Sequence, residues 1–120
     1  MTINLDELDE EVKKKVINLQ NLSASMEFLT NQRFQMESSL RECEAAISEL
    51  EKINPDDTVY KSIGGIFVKS EKNKLLDEKK SLKVTLEMRL KTIKDKEERT
   101  KSSIQTLRES IQADFQNRSS

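Results

Sequence analysis

Thr58-Val59-Tyr60-Lys61-Ser62-Ile63-Gly64-Gly65-Ile66-Phe67-Val68-Lys69-Ser70 decides how the rest of the chain is read. Two short runs rich in β-branched and aromatic residues flank a Gly-Gly pair, the local signature of a tight β-hairpin. With Gly64 and Gly65 as a two-residue loop, Ile63 faces Ile66, Lys61 faces Val68 and Val59 faces Ser70. Glycine at both loop positions allows the positive φ that such a turn requires. One face carries Val59, Ile63, Ile66 and Val68, and the other carries Tyr60 and Phe67. Both faces are partly apolar, so neither is suited to water alone. A lone two-stranded hairpin is marginally stable at best. This one needs partner strands, and no other stretch of the chain reads as a strand.

On either side the sequence changes character. Of the 120 residues, 36% are charged, 34% apolar and 4% aromatic, with two glycines and one proline. Such a chain is too polar to enclose a sizeable core, yet it lacks the Pro, Gly and Ser bias of disorder. Long helices that bury one narrow seam fit it better.

Upstream of the hairpin two heptad columns run without a break. One is Leu5, Val12, Leu19, Met26, Arg33, Leu40, Ile47; the other is Leu8, Lys15, Leu22, Leu29, Met36, Cys43, Leu50. Each has a single charged member, counting Cys43 as a small hydrophobe. A 3-4 spacing sustained this far predicts a coiled coil. The helix is expected over about residues 5–53. Acidic residues from Asp6 to Glu11 precede Lys13, Lys14 and Lys15, in the order the helix dipole favours. Asn54-Pro55 ends it, and Asp56 and Asp57 complete the turn.

Downstream, Ser70 or Asn73 can cap a second helix over about residues 72–117. Its seam reads Leu76, Lys83, Leu90, Glu97, Ile104, Ile111 and Lys79, Leu86, Ile93, Thr100, Leu107, Asp114, with Leu75, Leu82 and Phe115 beside it. At 1.5 Å per residue each helix is roughly 65–70 Å long. A short connection makes the two antiparallel partners, so Leu22 is set against Ile104, Leu19 against Leu107, Met36 against Leu90 and Leu40 against Leu86. Arg33 then lies one turn from Glu97, and Lys15 one turn from Asp114. Two readings of these charges stay open: pairs that fix the register, or side chains that reach outward to water. The expected fold is mainly α, a long antiparallel two-helix coiled coil with one β-hairpin between the helices, forming a single domain over residues 1–120.

Several function classes fall away. The chain has 21 basic and 22 acidic residues, interleaved, and a net charge of −1, so there is no basic footprint for nucleic acid. No stretch approaches the ~20 consecutive apolar residues of a membrane span, and the polar start is no signal peptide. With no histidine, an imidazole base or His metal site is impossible. The single Cys43 sits in a seam without basic neighbours to activate it, and it fits a reducing cytoplasm. Gly64-Gly65 is too short for a phosphate loop. No catalytic, metal or cofactor site is expected, and the chain does not read as an enzyme.

What remains is an interaction device with two ends. At the far end from the hairpin, Ile3, Leu5, Leu8 and Val12 approach Leu107, Ile111 and Phe115. These residues either close an ordinary coiled-coil terminus or, where the ends fray, offer a small adaptable apolar surface.

The order long helix, one hairpin, long helix resembles the β-type subunits of the prefoldin family, the hexameric holdases also called the Gim complex. The most specific likeness is Val59-Tyr60-Lys61-Ser62-Ile63-Gly64-Gly65-Ile66-Phe67-Val68-Lys69, which looks like the V-Y-K-x-x-G-x-hydrophobic-hydrophobic-V-K run of that class. A single hairpin fits the β type, since α-type subunits carry two, and the traits together resemble archaeal members. The resemblance implies that four β and two α subunits join their hairpins, through Val59, Tyr60, Ile63, Gly64, Gly65, Ile66, Phe67 and Val68 here, into a multi-subunit β-barrel platform. It implies ATP-independent capture of unfolded proteins at the coiled-coil tips, and their delivery to a group II chaperonin in the cytoplasm. Ile3, Leu5, Leu8, Val12, Leu107, Ile111 and Phe115 match the client-contacting region by location. A second class stays open: a structural or tethering coiled coil that oligomerises through its hairpin and binds no client.

Overall fold

A computed structural model of the chain describes residues 9–119. Its elements are helix α1 (Glu10–Lys52), strands β1 (Val59–Ile63) and β2 (Ile66–Ser70), and helix α2 (Lys72–Ser119). Expectations for residues 1–8, including Ile3, Leu5 and Leu8, lie outside the described residues.

The α1 start follows the dipole rule. Asp9 stands at the N-cap position, its carbonyl accepting from the Lys13 amide at 2.9 Å, and Glu10 and Glu11 fill the first turn. At the other end the Asn54-Pro55-Asp56-Asp57 turn closes twice over. The Asp57 amide donates to the Asn54 carbonyl at 3.0 Å, and the Asn54 amide donates to the Asp57 Oδ2, also at 3.0 Å. Proline suits the second position of such a turn because its φ is already set.

The beginning of α2 departs from the expectation. Neither Ser70 nor Asn73 stands at the N-cap: strand pairing carries Ser70 into β2 opposite Val59. Only Glu71 is left between strand and helix, and its carbonyl accepts the Leu75 amide at 3.0 Å. Lys72, at a helix start where a base is unfavourable by the dipole alone, donates through Nζ to the Ile53 carbonyl at 2.6 Å. It thus satisfies a carbonyl just beyond the end of α1, where helix carbonyls lack internal partners.

The described residues fall into two compact units. One contains α1 through Gln32 and α2 from Ile93, and the other is Arg33–Thr92, which includes the hairpin. In the first, Lys15 Nζ meets Asp114 Oδ2 at 2.7 Å and the Thr30 hydroxyl donates to the Glu97 Oε2 at 3.3 Å, so the helix segments run antiparallel. In the second, the Cys43 Sγ donates to the Lys79 carbonyl at 3.1 Å, and Lys80 lies 4.0 Å from Glu51.

Every heptad position named above within the described residues is buried or half-buried on both helices, Lys15, Arg33, Lys79, Lys83, Glu97 and Asp114 included. The most covered apolar members are Val12, Cys43, Leu86, Leu90, Ile93 and Ile111. Burying a leucine or isoleucine contributes about 1.5–3 kcal/mol, so these positions dominate the stability of the helix pair. The Lys15–Asp114 pair contributes about 1 kcal/mol or less. It pairs as the register reading expects. Phe28, Phe34 and Met88, off the seam, are exposed.

One seam assignment shifts. Leu75, set beside the seam by its spacing, is buried, whereas Leu76 is half-buried. Leu75 also lines the groove at the base of the hairpin, with Leu50 and Val59.

Candidate functional site

The hairpin forms as its residues dictate. β1 and β2 pair antiparallel with Val59 opposite Ser70, Tyr60 opposite Lys69, Lys61 opposite Val68, Ser62 opposite Phe67 and Ile63 opposite Ile66. Gly64 and Gly65 have φ of 53° and 85°. A Cβ at either position would meet nothing within 4 Å, so conformation and not space requires glycine there.

What sets this element apart is its exposure. Tyr60, Ile63, Ile66, Phe67 and Val68 are all exposed, with Phe67 at 77% and Ile66 at 64%. Val59, nearest the helices, is half-buried. Among the described residues the sheet has two strands, so each strand keeps one unpaired edge. An apolar two-stranded ribbon with both edges open is a template for further strands. All eight residues singled out in the sequence therefore lie on one small projecting element.

One link between hairpin and helix was not foreseen in the sequence. Tyr60 and Phe67 line an open groove together with Leu50, Thr58, Val59 and Leu75 at the helix base. On the other face Lys61 Nζ donates to the Glu78 Oε2 at 2.9 Å. The Glu78 carboxyl is held below its ordinary value, first by that hydrogen bond; desolvation opposes it, and the charges of Lys61, Lys74 and Lys79 lower it further. The alternation of the strand puts Lys61 beside Ile63, but nothing local announces its partner 17 residues on.

At the other candidate region, Val12 and Ile111 are 4% and 8% exposed, inside the seam of their unit. Leu107 and Phe115 are half-buried. The structure thus brings Val12, Leu107, Ile111 and Phe115 to covered positions, not to an open surface.

A family model described as "Prefoldin subunit" matches residues 5–118. The chain belongs to the prefoldin family. Within it, the similarity is to β-type subunits. The chain is 33% identical over 108 residues to the prefoldin subunit beta of Archaeoglobus fulgidus, covering 90% of this chain and 93% of that one. It is 36% identical over 105 residues to the prefoldin subunit beta of Methanothrix thermoacetophila, covering 88% of each. In structure it matches the crystal structure of the prefoldin beta subunit from Thermococcus strain KS-1, with TM-score 0.79 and 26% identity over 89% of this chain and 94% of that one. Prefoldins are a chaperone family, and the helix-hairpin-helix order seen here is their β-type fold. Among the described residues no helix is long and apolar enough to cross a membrane.

Proposed function

We propose that this chain is one subunit of an ATP-independent holdase, acting as a single prefoldin-like domain over residues 1–120. The observation that carries the reading is the hairpin: its apolar side chains are exposed on both faces and its edges are open. Isolated exposed hydrophobics are common, but a cluster on two unpaired strands calls for a protein partner. The partners of this reading are α-type prefoldin subunits and further β copies, two α and four β in all. Their hairpins complete a β-barrel platform with Val59, Tyr60, Ile63, Gly64, Gly65, Ile66, Phe67 and Val68. Unfolded clients are captured in the cytoplasm at the tips, by Ile3, Leu5, Leu8, Val12, Leu107, Ile111 and Phe115, and passed to a group II chaperonin. Several weak apolar contacts on separate arms give useful retention through multivalency. No catalysis or cofactor enters this scheme.

One observation favours the tethering alternative. Val12 and Ile111 are buried against the seam, as in a coiled coil whose end is simply closed. The two readings part in one experiment. Residues 1–12 are deleted, or the apolar residues within 107–115 are made polar, and the variants are mixed with an α-type subunit. Holdase action at the tips predicts normal assembly on a sizing column but loss of aggregation suppression, followed by light scattering of an unfolded client. Undiminished suppression removes the tip assignment, and no suppression by the unaltered assembly removes the holdase itself.

A further inference from the structure

The seam has a charged layer where its apolar tip residues lie. Lys15 and Asp114 each occupy a heptad position whose column neighbours, Leu22 and Leu107, are apolar. They meet at 2.7 Å with side chains only 24% and 27% exposed. Val12 and Ile111 stand three residues before them, on the same face of each helix by the i,i+3 rule, and are almost fully covered. Because the helix segments run antiparallel, Val12 lies on the tip side of the pair and Ile111 on the hairpin side, so a client chain reaches Ile111 only if the helix ends separate past Lys15 and Asp114, which breaks their contact.

The chemistry of that contact makes separation easy to reverse. Two apolar side chains in this layer would have to enter water with nothing gained. A lysine and an aspartate instead recover hydration when they part, which offsets much of their attraction. The helix dipole explains neither charge, since it favours an acid near the start of α1 and a base near the end of α2.

We propose that Lys15 and Asp114 form a latch that sets how readily the tip opens onto client. This deepens the tip reading above and rests on it. The latch closes the apolar layer at rest, keeping Ile111 behind it from self-association. It yields when client contacts replace the buried ones.

Three variants of the full chain, alone and assembled with an α-type subunit, test this. Amide hydrogen exchange of peptides covering residues 10–17 and 108–117 reads tip opening. Binding of reduced, carboxymethylated α-lactalbumin, followed by fluorescence anisotropy, reads capture. In D114K two ammonium groups repel, and exchange should rise about fivefold with tighter capture. In the K15L/D114L double variant the layer becomes apolar, and exchange should fall by at least about fivefold with weaker capture. The charge exchange K15D/D114K should return both readouts to near the starting values. Unchanged exchange in D114K and in K15L/D114L overturns the latch and leaves the tip reading standing. Exchange that responds while capture stays constant overturns the latch's role in capture. Because K15L/D114L strengthens the helix pair, a failure of D114K to fold would not spare the proposal.

Discussion

The hairpin and the helix seams use the same kinds of side chain to opposite ends. Ile66 and Val68 are exposed, whereas Ile111 and Val12 are buried. In the seams each apolar group finds its cover on the other helix of the same chain. On the hairpin only Val59 and Ser70, next to the helices, are half-buried, while Tyr60 and Phe67 stay exposed across an open groove from Leu50 and Leu75. The difference teaches where the chain is complete and where it is not. Stability resides in the seams, and unsatisfied surface resides in the hairpin.

The sharpest way to break that comparison is to damage each region in turn. Ile66→Asp with Phe67→Asp should change the thermal stability of the isolated chain by no more than about 0.5 kcal/mol, as expected of exposed sites. The same pair should abolish association with other prefoldin subunits on a sizing column. Leu90→Ala should do the reverse, lowering stability by about 2–4 kcal/mol in denaturant melts while leaving the hairpin residues competent to associate. If the aspartates unfold the chain, or if they leave assembly intact, the division of labour is wrong.

Next in size is the turn. Gly64→Ala and Gly65→Ala place a Cβ at φ of 53° and 85°. Each should cost about 1–2 kcal/mol of hairpin stability, because the left-handed region is strained for L side chains. No clash contributes, since space is open at both positions. Hydrogen exchange of the β1 and β2 amides should quicken, with the helix amides unaffected. Equal quickening in the helices would mean that the hairpin supports the seam as well as the reverse.

Sequence made the periodic parts of this comparison legible and little else. The heptads declared themselves because a 3.5-residue repeat is local and recurs many times, so one charged intrusion such as Lys15 does not hide it. Gly64-Gly65 declared the turn because few residues tolerate its backbone. By contrast, Leu75 and Leu76 are adjacent and identical, and the heptad columns put the less covered of the two in the seam. The caps misled for a related reason: Ser70 and Asn73 are both good N-cap residues, but pairing of Ser70 with Val59 fixed where α2 could begin. The candidate tip was legible as a place and not as a state. The residues that close a coiled-coil end are the same ones that would hold a client.

The smallest expected effect concerns how the hairpin is aimed. Lys61 and Glu78 link it to α2 at 2.9 Å. Both side chains are substantially exposed, so the pair orients the ribbon more than it stabilises the fold. The sign of its pH dependence follows from the carboxylate. Glu78 is held below its ordinary range when folded, so its contribution is fully present above that range and is lost as pH falls through the lowered value. Amide chemical shifts of residues 59–70 should therefore be constant from neutral pH down to the ordinary carboxylate range and move together only below it. Glu78→Gln should reproduce those shifts at neutral pH and remove the acid transition. If the hairpin amides of Glu78→Gln match the unaltered chain at neutral pH, the ion pair does not aim the hairpin. The groove formed by Leu50, Leu75, Tyr60 and Phe67 would then set its angle alone.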